Sequence, residues 1–329
     1  MNKENRVEFE RPDFPELTGK YTVVDLHYHT RYSDGASTVG NIVKKARELG
    51  IGIAITDHNE IKGAVEIDKY KDVLSIPGIE ITSKEGTHIL VYFYDIDSLK
   101  KFYKNDVRPF MGSNVMSSTS LNVEEVIRRA GKFRTIIIFP HPYSPAYTGV
   151  CNFYFSKEKL SRLFSLVDGV EVINSENLNR WNMKSTVLGF NLSKTISGGS
   201  DGHAIEHMGR AVTCAQCENN REAFLDSLKA NAVKVVGKEI DIFKKVTSNS
   251  YKLKTNINNC PDLVEKNLRY GYAVIQSKSR TVKENVRHRM SKRGIGKKIY
   301  NAFVSSSYER FNHNFIVFFF MLHQTGMMS

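Results

Sequence analysis

Five short clusters of metal-binding side chains, each directly after an apolar run, constrain the fold of this chain more than any other feature. The clusters are His27-Tyr28-His29, Thr56-Asp57-His58-Asn59, Gly78-Ile79-Glu80, Pro140-His141-Pro142 and Ser200-Asp201-Gly202-His203. Apolar runs of this length, rich in β-branched residues, are typical of buried strands. In a parallel α/β barrel the carboxyl ends of the strands meet at one rim, so ligands far apart in sequence become neighbours. The sequence therefore predicts a barrel with one multinuclear metal site at its rim.

Strand-like and helical patterns alternate between residues 21 and 240. Strands are predicted at Tyr21–Leu26, Ile51–Thr56, Val73–Ile81, His88–Tyr94, Ile136–Phe139, Asp168–Ile173, Lys194–Ser197 and Ala211–Ala215. Helices are predicted at Thr38–Leu49, Val123–Ala130, Lys157–Leu166, Leu178–Leu188 and Arg221–Ala230. Repeated βα units favour a parallel sheet over a β-sandwich. The predicted fold class is α/β, a parallel β/α barrel.

The charge of the chain divides it into parts. The formal net charge is +12, and residues 241–329 hold 16 Lys and Arg against 5 Asp and Glu, which leaves 31 against 30 before them. We expect an N-terminal arm at residues 1–20, the barrel at 21–240 and a basic C-terminal extension at 241–329. A basic segment attracts polyanions, so the extension could contact RNA or DNA, although a solvated surface that keeps the protein soluble explains the charge equally well.

Cysteine usage and the termini bear on localisation. Four cysteines in 329 residues do not form a disulfide framework, and the polar start of the chain has no apolar signal-peptide core. The apolar run Phe315–Leu322 is too short to cross a bilayer. We therefore expect a cytoplasmic protein without a transmembrane segment; its oligomeric state is not readable from the sequence.

The histidines supply the chemical argument. Six of the ten lie at or near predicted strand ends: His27, His29, His58, His88, His141 and His203. Residues separated by one position on an extended segment point the same way, so His27 and His29 can bind one ion. Carboxylates can complete the coordination and bridge to another ion. Mixed imidazole and carboxylate ligands suit zinc, manganese or iron, and we expect two or three divalent ions.

These motifs together resemble the PHP domain, named for polymerase and histidinol phosphatase, a family of metal-dependent phosphoesterases. The resemblance runs from about Val23 to Val212. It is carried by Asp25-Leu26-His27-Tyr28-His29, Ser33-Asp34-Gly35, Thr56-Asp57-His58-Asn59, Pro77-Gly78-Ile79-Glu80, His88-Ile89-Leu90, Phe139-Pro140-His141-Pro142 and Gly199-Ser200-Asp201-Gly202-His203. It implies a distorted seven-stranded barrel and a trinuclear site, and it most resembles the nucleotide and oligoribonucleotide phosphatase branch.

The resemblance also implies a ligand set of nine residues. One ion would be held by His27, His29, Glu80 and Asp201, a second by Asp34, His58 and His203, and a third by Glu80, His88 and His141. Glu80 would bridge two of the ions. Asp34 stands where some members use histidine, which implies a harder or more weakly held second ion.

Further residues are candidates for other roles at this site. Asp201 and His203 are candidate proton donors to the leaving oxygen, and Asp57, beside His58, could orient an imidazole or cap a helix. Arg31 and Arg210 could bind phosphate, because a guanidinium matches phosphate oxygens, but each could equally be an ordinary surface arginine. The polar segment 111–120 is predicted to be a loop that covers the site or merely connects two elements.

Three functions follow from these patterns. The preferred one is hydrolysis of a phosphomonoester or phosphodiester of a small nucleotide, short oligonucleotide or phosphorylated metabolite through a metal-bound hydroxide. A second is nucleic-acid binding, with the barrel as a scaffold for the basic extension. A third is a metal-dependent amidohydrolase, since those barrels also begin with a His-x-His pair, and Glu80 could fill the place of their bridging group.

Overall fold

The computed structural model describes residues 6–144, 147–152 and 154–240, which form ten strands and eight α-helices. The strands are β1 (Val7–Glu8), β2 (Thr22–Tyr28), β3 (Gly52–Ile55), β4 (Ser75–Thr82), β5 (His88–Phe93), β6 (Thr135–Phe139), β7 (Gly169–Asn174), β8 (Thr195–Gly199), β9 (Ala211–Ala215) and β10 (Val233–Gly237). The helices are α1 (Phe14–Thr18), α2 (Val39–Leu49), α3 (Lys62–Ile67), α4 (Ile96–Phe102), α5 (Val123–Ala130), α6 (Lys157–Leu166), α7 (Asn179–Leu192) and α8 (Arg221–Lys229).

All ten strands belong to one sheet with the order β1-β10-β9-β2-β3-β4-β5-β6-β7-β8. The runs β2-β3-β4 and β6-β7-β8 are parallel, as is the pair β1-β10. The strands β5 and β9 are antiparallel to both of their neighbours. The sheet is therefore rich in parallel pairs without being wholly parallel.

The sheet curls so that the segment after β8 returns to the end of β2. The Asp201 amide donates to the carbonyl of His27 at 2.7 Å, and the His29 amide donates to the carbonyl of Gly202 at 3.0 Å. The loop after β3 is joined to the end of β4 in the same way, because the Asn59 amide donates to the carbonyl of Glu80 at 2.8 Å. These bonds bring strand ends from distant parts of the sequence to one rim.

Local sequence explains where the helices begin and end. Thr38 accepts a hydrogen bond from the Asn41 amide at the start of α2, and Gly50 ends the helix in the left-handed region at φ 67°. The helix α5 begins with a reciprocal pair of bonds between Asn122 and Glu125. Side-chain acceptors at the first position satisfy amides that have no partner within the helix.

The α/β class, the barrel-like sheet and the five predicted helices are confirmed, with shifts of a few residues at their ends. The sequence patterns predicted eight strands and the family resemblance implied a seven-stranded barrel, whereas the described residues contain ten strands, with antiparallel as well as parallel pairs. One antiparallel pair arises because the short turn after Thr82 reverses the chain: the Ser83 amide donates to the carbonyl of Thr87 at 2.9 Å, and Gly86 has φ 87°. Val7 and Glu8, inside the predicted arm, pair with β10.

None of the helices among the described residues is long and apolar enough to cross a membrane. The predicted basic extension at 241–329, with its apolar run Phe315–Leu322, lies outside the described residues.

Candidate metal centre

The nine predicted ligands converge at the rim of the barrel. They come from the ends of β2, β4 and β5 and from the loops after β2, β3, β6 and β8, and they are His27, His29, Asp34, His58, Glu80, His88, His141, Asp201 and His203. Within the described residues, three groups could each hold one ion: His29, Asp34, His58 and His203; His27, His29 and Asp201; and His58, Glu80 and His88.

Glu80 lies at the middle of the cluster. Its Oε1 is 3.0 Å from His88 Nδ1 and 3.3 Å from His141 Nε2, while its Oε2 is 3.0 Å from His58 Nδ1 and 3.4 Å from His29 Nε2. Oε1 is also 3.5 Å from His27 Nε2, so the two oxygens face different sets of imidazoles. A carboxylate in this position can bridge two ions.

The other two carboxylates lie on either side of Glu80. Asp201 Oδ1 is 3.1 Å from His29 Nε2 and 3.5 Å from His27 Nε2. Asp34 Oδ2 is 3.1 Å from His203 Nε2 and 3.7 Å from His58 Nε2. His58 therefore faces Asp34 with one ring nitrogen and Glu80 with the other, which places it between two of the implied ion positions.

Every imidazole of the cluster presents a buried ring nitrogen that makes no hydrogen bond to the described residues: Nε2 of His27, both nitrogens of His29, Nδ1 of His58, His88 and His141, and Nε2 of His203. Buried polar atoms normally have hydrogen-bond partners, so a concentration of unpartnered nitrogens indicates another ligand. Neutral imidazole nitrogens facing carboxylate oxygens are donors that zinc, manganese and iron accept. The cluster therefore fits divalent transition-metal ions.

The carboxylates and imidazoles of the cluster shift one another's pKa values. Burial alone would raise the pKa of Glu80, but the surrounding imidazoles, His88 foremost, hold it well below the usual range. Burial alone would lower the pKa of His58, but Glu80 and Asp34 raise it to about 9. Burial and the nearby imidazoles of His203 and His58 lower the pKa of His29 to about 3. In the metal-free protein His58 is therefore protonated and His29 neutral at neutral pH.

Backbone geometry brings these ligands together. Asp201, His141 and Asn59 adopt positive φ values of 52°, 29° and 47°. Residues other than glycine seldom adopt such values, and they occur often at functional sites. A Cβ added at Gly199 would lie 2.4 Å from the Cβ of His27, so only glycine allows β8 to approach β2 this closely.

Two buried carboxylates behind the ligands hold the loops. Asp25 accepts from the amide of Ser200 at 2.9 Å, from its hydroxyl at 2.6 Å and from the amide of Gly209 at 2.9 Å. Asp57 accepts from the amide and hydroxyl of Thr30 and from the hydroxyl of Ser33, each at 2.7 Å. The hydrogen bonds of Asp57 hold the loop that carries Asp34; that Asp57 orients an imidazole or caps a helix stays a prediction.

Glu171 is a functional residue that the sequence reasoning missed. Its Oε1 is 3.1 Å from His27 Nδ1, and its Oε2 accepts from the His141 amide at 2.9 Å and from Asn174 Nδ2 at 2.9 Å. It therefore orients His27 so that Nε2 faces Asp201. A single charged residue among the apolar Val170, Val172 and Ile173 of β7 was the signal that could have found it.

The cluster opens into a cavity of about 300 Å³. Ligands His58, Glu80, His88, His141, Asp201 and His203 line it together with Ser144, Thr148, Glu176, Asn177, Leu178 and Trp181. Glu176 Oε1 is 3.2 Å from Nδ1 of the buried His207. No sequence pattern indicates Glu176 or Trp181, because neither follows a predicted strand directly.

The two arginines predicted to bind phosphate do not line this cavity. Arg31 is exposed, and the Nε of the half-buried Arg210 donates to the carbonyl of Glu206 at 3.4 Å.

The segment 111–120 contacts the residue that follows the ligand His58. Asn59 Nδ2 donates to the carbonyls of Val115 at 2.8 Å and Ser117 at 2.9 Å.

The chain matches known proteins in family, sequence and structure. A family model described as the PHP domain matches residues 25–167, and a model described as PHP-associated matches residues 179–233. The uncharacterized protein MJ1587 of Methanocaldococcus jannaschii is 34% identical over 167 residues, which span 46% of this chain and 81% of that protein.

Two solved structures illustrate the shared fold. A two-domain protein of Bacteroides vulgatus, which contains a predicted PHP-like metal-dependent phosphoesterase, aligns with a TM-score of 0.50 at 18% identity and covers 76% of this chain and 75% of its own. The lesion-specific endonuclease PfuEndoQ of Pyrococcus furiosus aligns with a TM-score of 0.54 at 18% identity, over 65% of this chain and 57% of that one. At these identities the likeness concerns the fold.

Proposed function

The chain belongs to the PHP domain family of hydrolases, and on that premise we propose that it hydrolyses a phosphomonoester or phosphodiester of a small nucleotide, short oligonucleotide or phosphorylated metabolite. The observation that supports this most strongly is Glu80, whose two oxygens face four imidazoles within 3.4 Å. A carboxylate placed this way has the chemistry of a bridge between ions, and closely spaced ions suit displacement at phosphorus.

The ion positions are assigned as the family resemblance implies, with two or three divalent zinc, manganese or iron ions. Ions bound there would supply a water of lowered pKa and neutralise the charge that builds up on the phosphoryl oxygens. The residues around them fix the geometry. Glu171 holds His27, and the Asp201 carbonyl, 2.7 Å from His203 Nδ1, leaves Nε2 of His203 directed at Asp34.

The proton donor to the leaving oxygen must be a group that lines the cavity. Asp201 and His203 are candidate proton donors, and both also lie among the groups that could hold a metal ion. Glu176 is a third candidate, because it lines the same cavity and lies outside the ligand set. The buried His207 at 3.2 Å would orient its carboxylate.

Trp181 favours a nucleotide over a small sugar phosphate. Its indole lines the cavity, and Lys184 Nζ and Arg180 Cζ lie 4.6 Å and 4.9 Å from the ring. An aromatic face beside two cations suits a nucleobase and a second phosphate. Replacing Trp181 with Ala is expected to raise KM for nucleotide substrates about fivefold or more.

The test is an assay of phosphate or nucleotide release from 3',5'-bisphosphonucleotides, sugar phosphates, histidinol phosphate and 5'-phosphorylated RNA, with added Mn²⁺ or Zn²⁺. Metal-stripped protein is the matched control. Turnover that depends on metal supports the proposal, and no turnover on any phosphate substrate rejects it. Amide substrates are assayed side by side with the phosphate substrates. Hydrolysis of an amide would support the amidohydrolase alternative, and no hydrolysis of any amide would count against it. Elemental analysis should find two or three transition-metal equivalents.

The nucleic-acid-binding alternative rests on residues 241–329, which lie outside the described residues. Deleting the extension tests it: RNA binding abolished with phosphoesterase activity retained would identify a targeting segment, whereas unchanged binding would exclude the extension from that role.

A further inference from the structure

A second and larger depression lies beside the metal centre. It measures about 780 Å³ and is formed by α3, α4, the turns after α4 and the loop after β2. We call it the α3–α4 groove. Its lining consists of Tyr32, Glu60, Ile61, Lys62, Val65, Glu66, Lys69, Tyr70, Lys100, Tyr103 and Arg108.

The groove is cationic. Four of its lining residues are basic and two are acidic, and both acidic groups already have partners. Glu60 accepts from the amides of Ile61 and Lys62 and pairs with Lys62 Nζ at 3.0 Å, and Glu66 accepts from the Tyr32 hydroxyl at 2.7 Å. In contrast, the exposed side chains of Lys69 and Arg108 form no ion pair with any carboxylate of the described residues.

The groove is also aromatic. Tyr32, Tyr70 and Tyr103 all line the groove and are half-buried, so each is partly accessible to solvent. Tyr103 begins a five-residue π-helical turn, Tyr103–Val107, that continues α4 and leads into Arg108. π-helical turns are rare and occur frequently at functional sites. This turn places an aromatic ring and a guanidinium in the same groove.

The groove adjoins the metal centre along two loops. Tyr32 is two residues before the ligand Asp34, and Glu60 is two residues after the ligand His58. Two residues span at most about 7 Å. Two of its lining residues therefore lie within about 7 Å of a predicted ligand along the backbone, which puts the groove within the reach of a strand of a few nucleotides that has one phosphate at the metal centre.

We infer that the α3–α4 groove binds the chain of a single-stranded nucleic acid, with its bases on the tyrosines and its phosphates on Lys69 and Arg108. A positively charged groove that also contains aromatic rings is the chemistry by which proteins hold single strands without reading sequence. The inference deepens the proposed function and rests on it, since it supplies the part of an oligonucleotide substrate that lies beyond the reacting phosphate.

The test measures binding, so that it does not depend on turnover. The full-length chain is titrated with a fluorescent phosphorothioate DNA octamer, a single strand that resists cleavage, over a range of salt concentrations. The double variant Lys69→Ala/Arg108→Ala should weaken binding roughly fivefold for each phosphate interaction that it removes. The negative slope of log K against log salt should become shallower by about 0.7 per interaction. Tyr103→Leu, which keeps an apolar side chain, should weaken binding about fivefold without changing the slope.

The control is Lys157→Ala/Lys229→Ala, which removes the same charge from exposed positions on α6 and α8 outside the groove. Equal weakening by the groove and control variants would overturn the inference, because the effect would then be one of net charge. The inference would also be overturned if Tyr103→Leu bound the octamer as tightly as the unaltered protein and inorganic polyphosphate displaced the octamer as well as unlabelled DNA does. The groove would then be a polyanion site without stacking. Groove-specific binding in a protein that turns over no phosphate substrate would reject the proposed function and leave the groove assignment standing.

Discussion

The carboxylates that face the imidazoles differ from those that lie behind them in what surrounds their oxygens. The inner carboxylates are Asp34, Glu80 and Asp201, and the outer carboxylates are Asp25, Asp57 and Glu171. Inner oxygens lie 3.0–3.7 Å from ring nitrogens. The outer carboxylates accept mainly from backbone amides, hydroxyls and a side-chain amide, and Glu171 alone also contacts a ring nitrogen.

This difference appears in the pKa of Asp34 from the inner set and of Asp25 and Asp57 from the outer set. Burial alone would raise the pKa of Asp34, but the imidazoles of His203 and His58 hold it well below the usual range. Burial raises the pKa of Asp25 to about 6 and that of Asp57 to about 6, even though hydrogen bonds oppose the shift. The charges of Asp34 and Glu80 are thus stabilised by neighbouring imidazoles, whose place metal ions can take. The outer groups fix the positions of loops.

The largest effect should come from removing the central inner charge. Glu80→Gln keeps the shape of the side chain but removes a charge that lies within 3.5 Å of five imidazoles. We expect loss of at least one bound ion and a fall in kcat/KM of about a thousandfold or more, since metal ions contribute several kcal/mol to such reactions. Metal content by elemental analysis and kcat/KM measure this. The exposed Glu48→Gln on α2 is the control, and a Glu80→Gln variant with full metal content and activity would contradict the inner role.

Substitution of an outer carboxylate should have a smaller effect, on metal affinity. Glu171→Gln weakens the contact to His27 Nδ1, 3.1 Å away, without removing a predicted ligand. Groups that orient metal-binding histidines typically contribute 10- to 100-fold in affinity, so we expect a decrease of roughly that size. Competition with a chelator measures it. If Glu171→Gln weakened metal binding as much as Glu80→Gln, Glu171 would belong to the inner set.

Gly199 holds the geometry without contributing any atom to the site. A Cβ there would lie 2.6 Å from the backbone nitrogen of His27 and force β8 away from β2. We expect Gly199→Ala to lower the free energy of unfolding by about 1–3 kcal/mol and to weaken metal binding as well. Gly40→Ala is the matched control, because its added Cβ would meet only Thr38 Oγ1 at 4.0 Å and should stabilise α2 slightly. A Gly199→Ala variant as stable as Gly40→Ala would show that β8 can move away from β2 without lowering the free energy of unfolding.

The inner set was predictable from the sequence, whereas most of the outer set was not. His27, Glu80 and Asp201 follow apolar runs, and strand ends in such a barrel share one rim. Glu171 lies within a run that reads as a buried strand, and its role depends on a contact with His27 across 144 positions of the chain. Alternation of residue types does not encode such a contact.

Strand direction was equally inaccessible. The apolar runs predicted β4 and β5 at nearly the correct residues, but a run reads the same whether its neighbour is parallel or antiparallel. The reversal depends on a turn at Ser83–Thr87, which the apolar pattern of the strands does not reveal. The cavity residue Trp181 was missed for a related reason: it lies in the first turn of α7, and helix positions near a barrel rim carry no strand-end signal.

The smallest expected effect concerns protons within the inner set. Because Glu80 and Asp34 raise the pKa of His58 to about 9 against the lowering effect of burial, this imidazole is protonated at pH 7 in the metal-free protein. An imidazole must be neutral to bind an ion, so metal binding should release protons, and affinity should fall about tenfold per pH unit below 9 for each proton released. Calorimetric titration in two buffers of different ionisation enthalpy counts these protons. His58→Gln should release fewer, and an unchanged count would place His58 outside the ligand set.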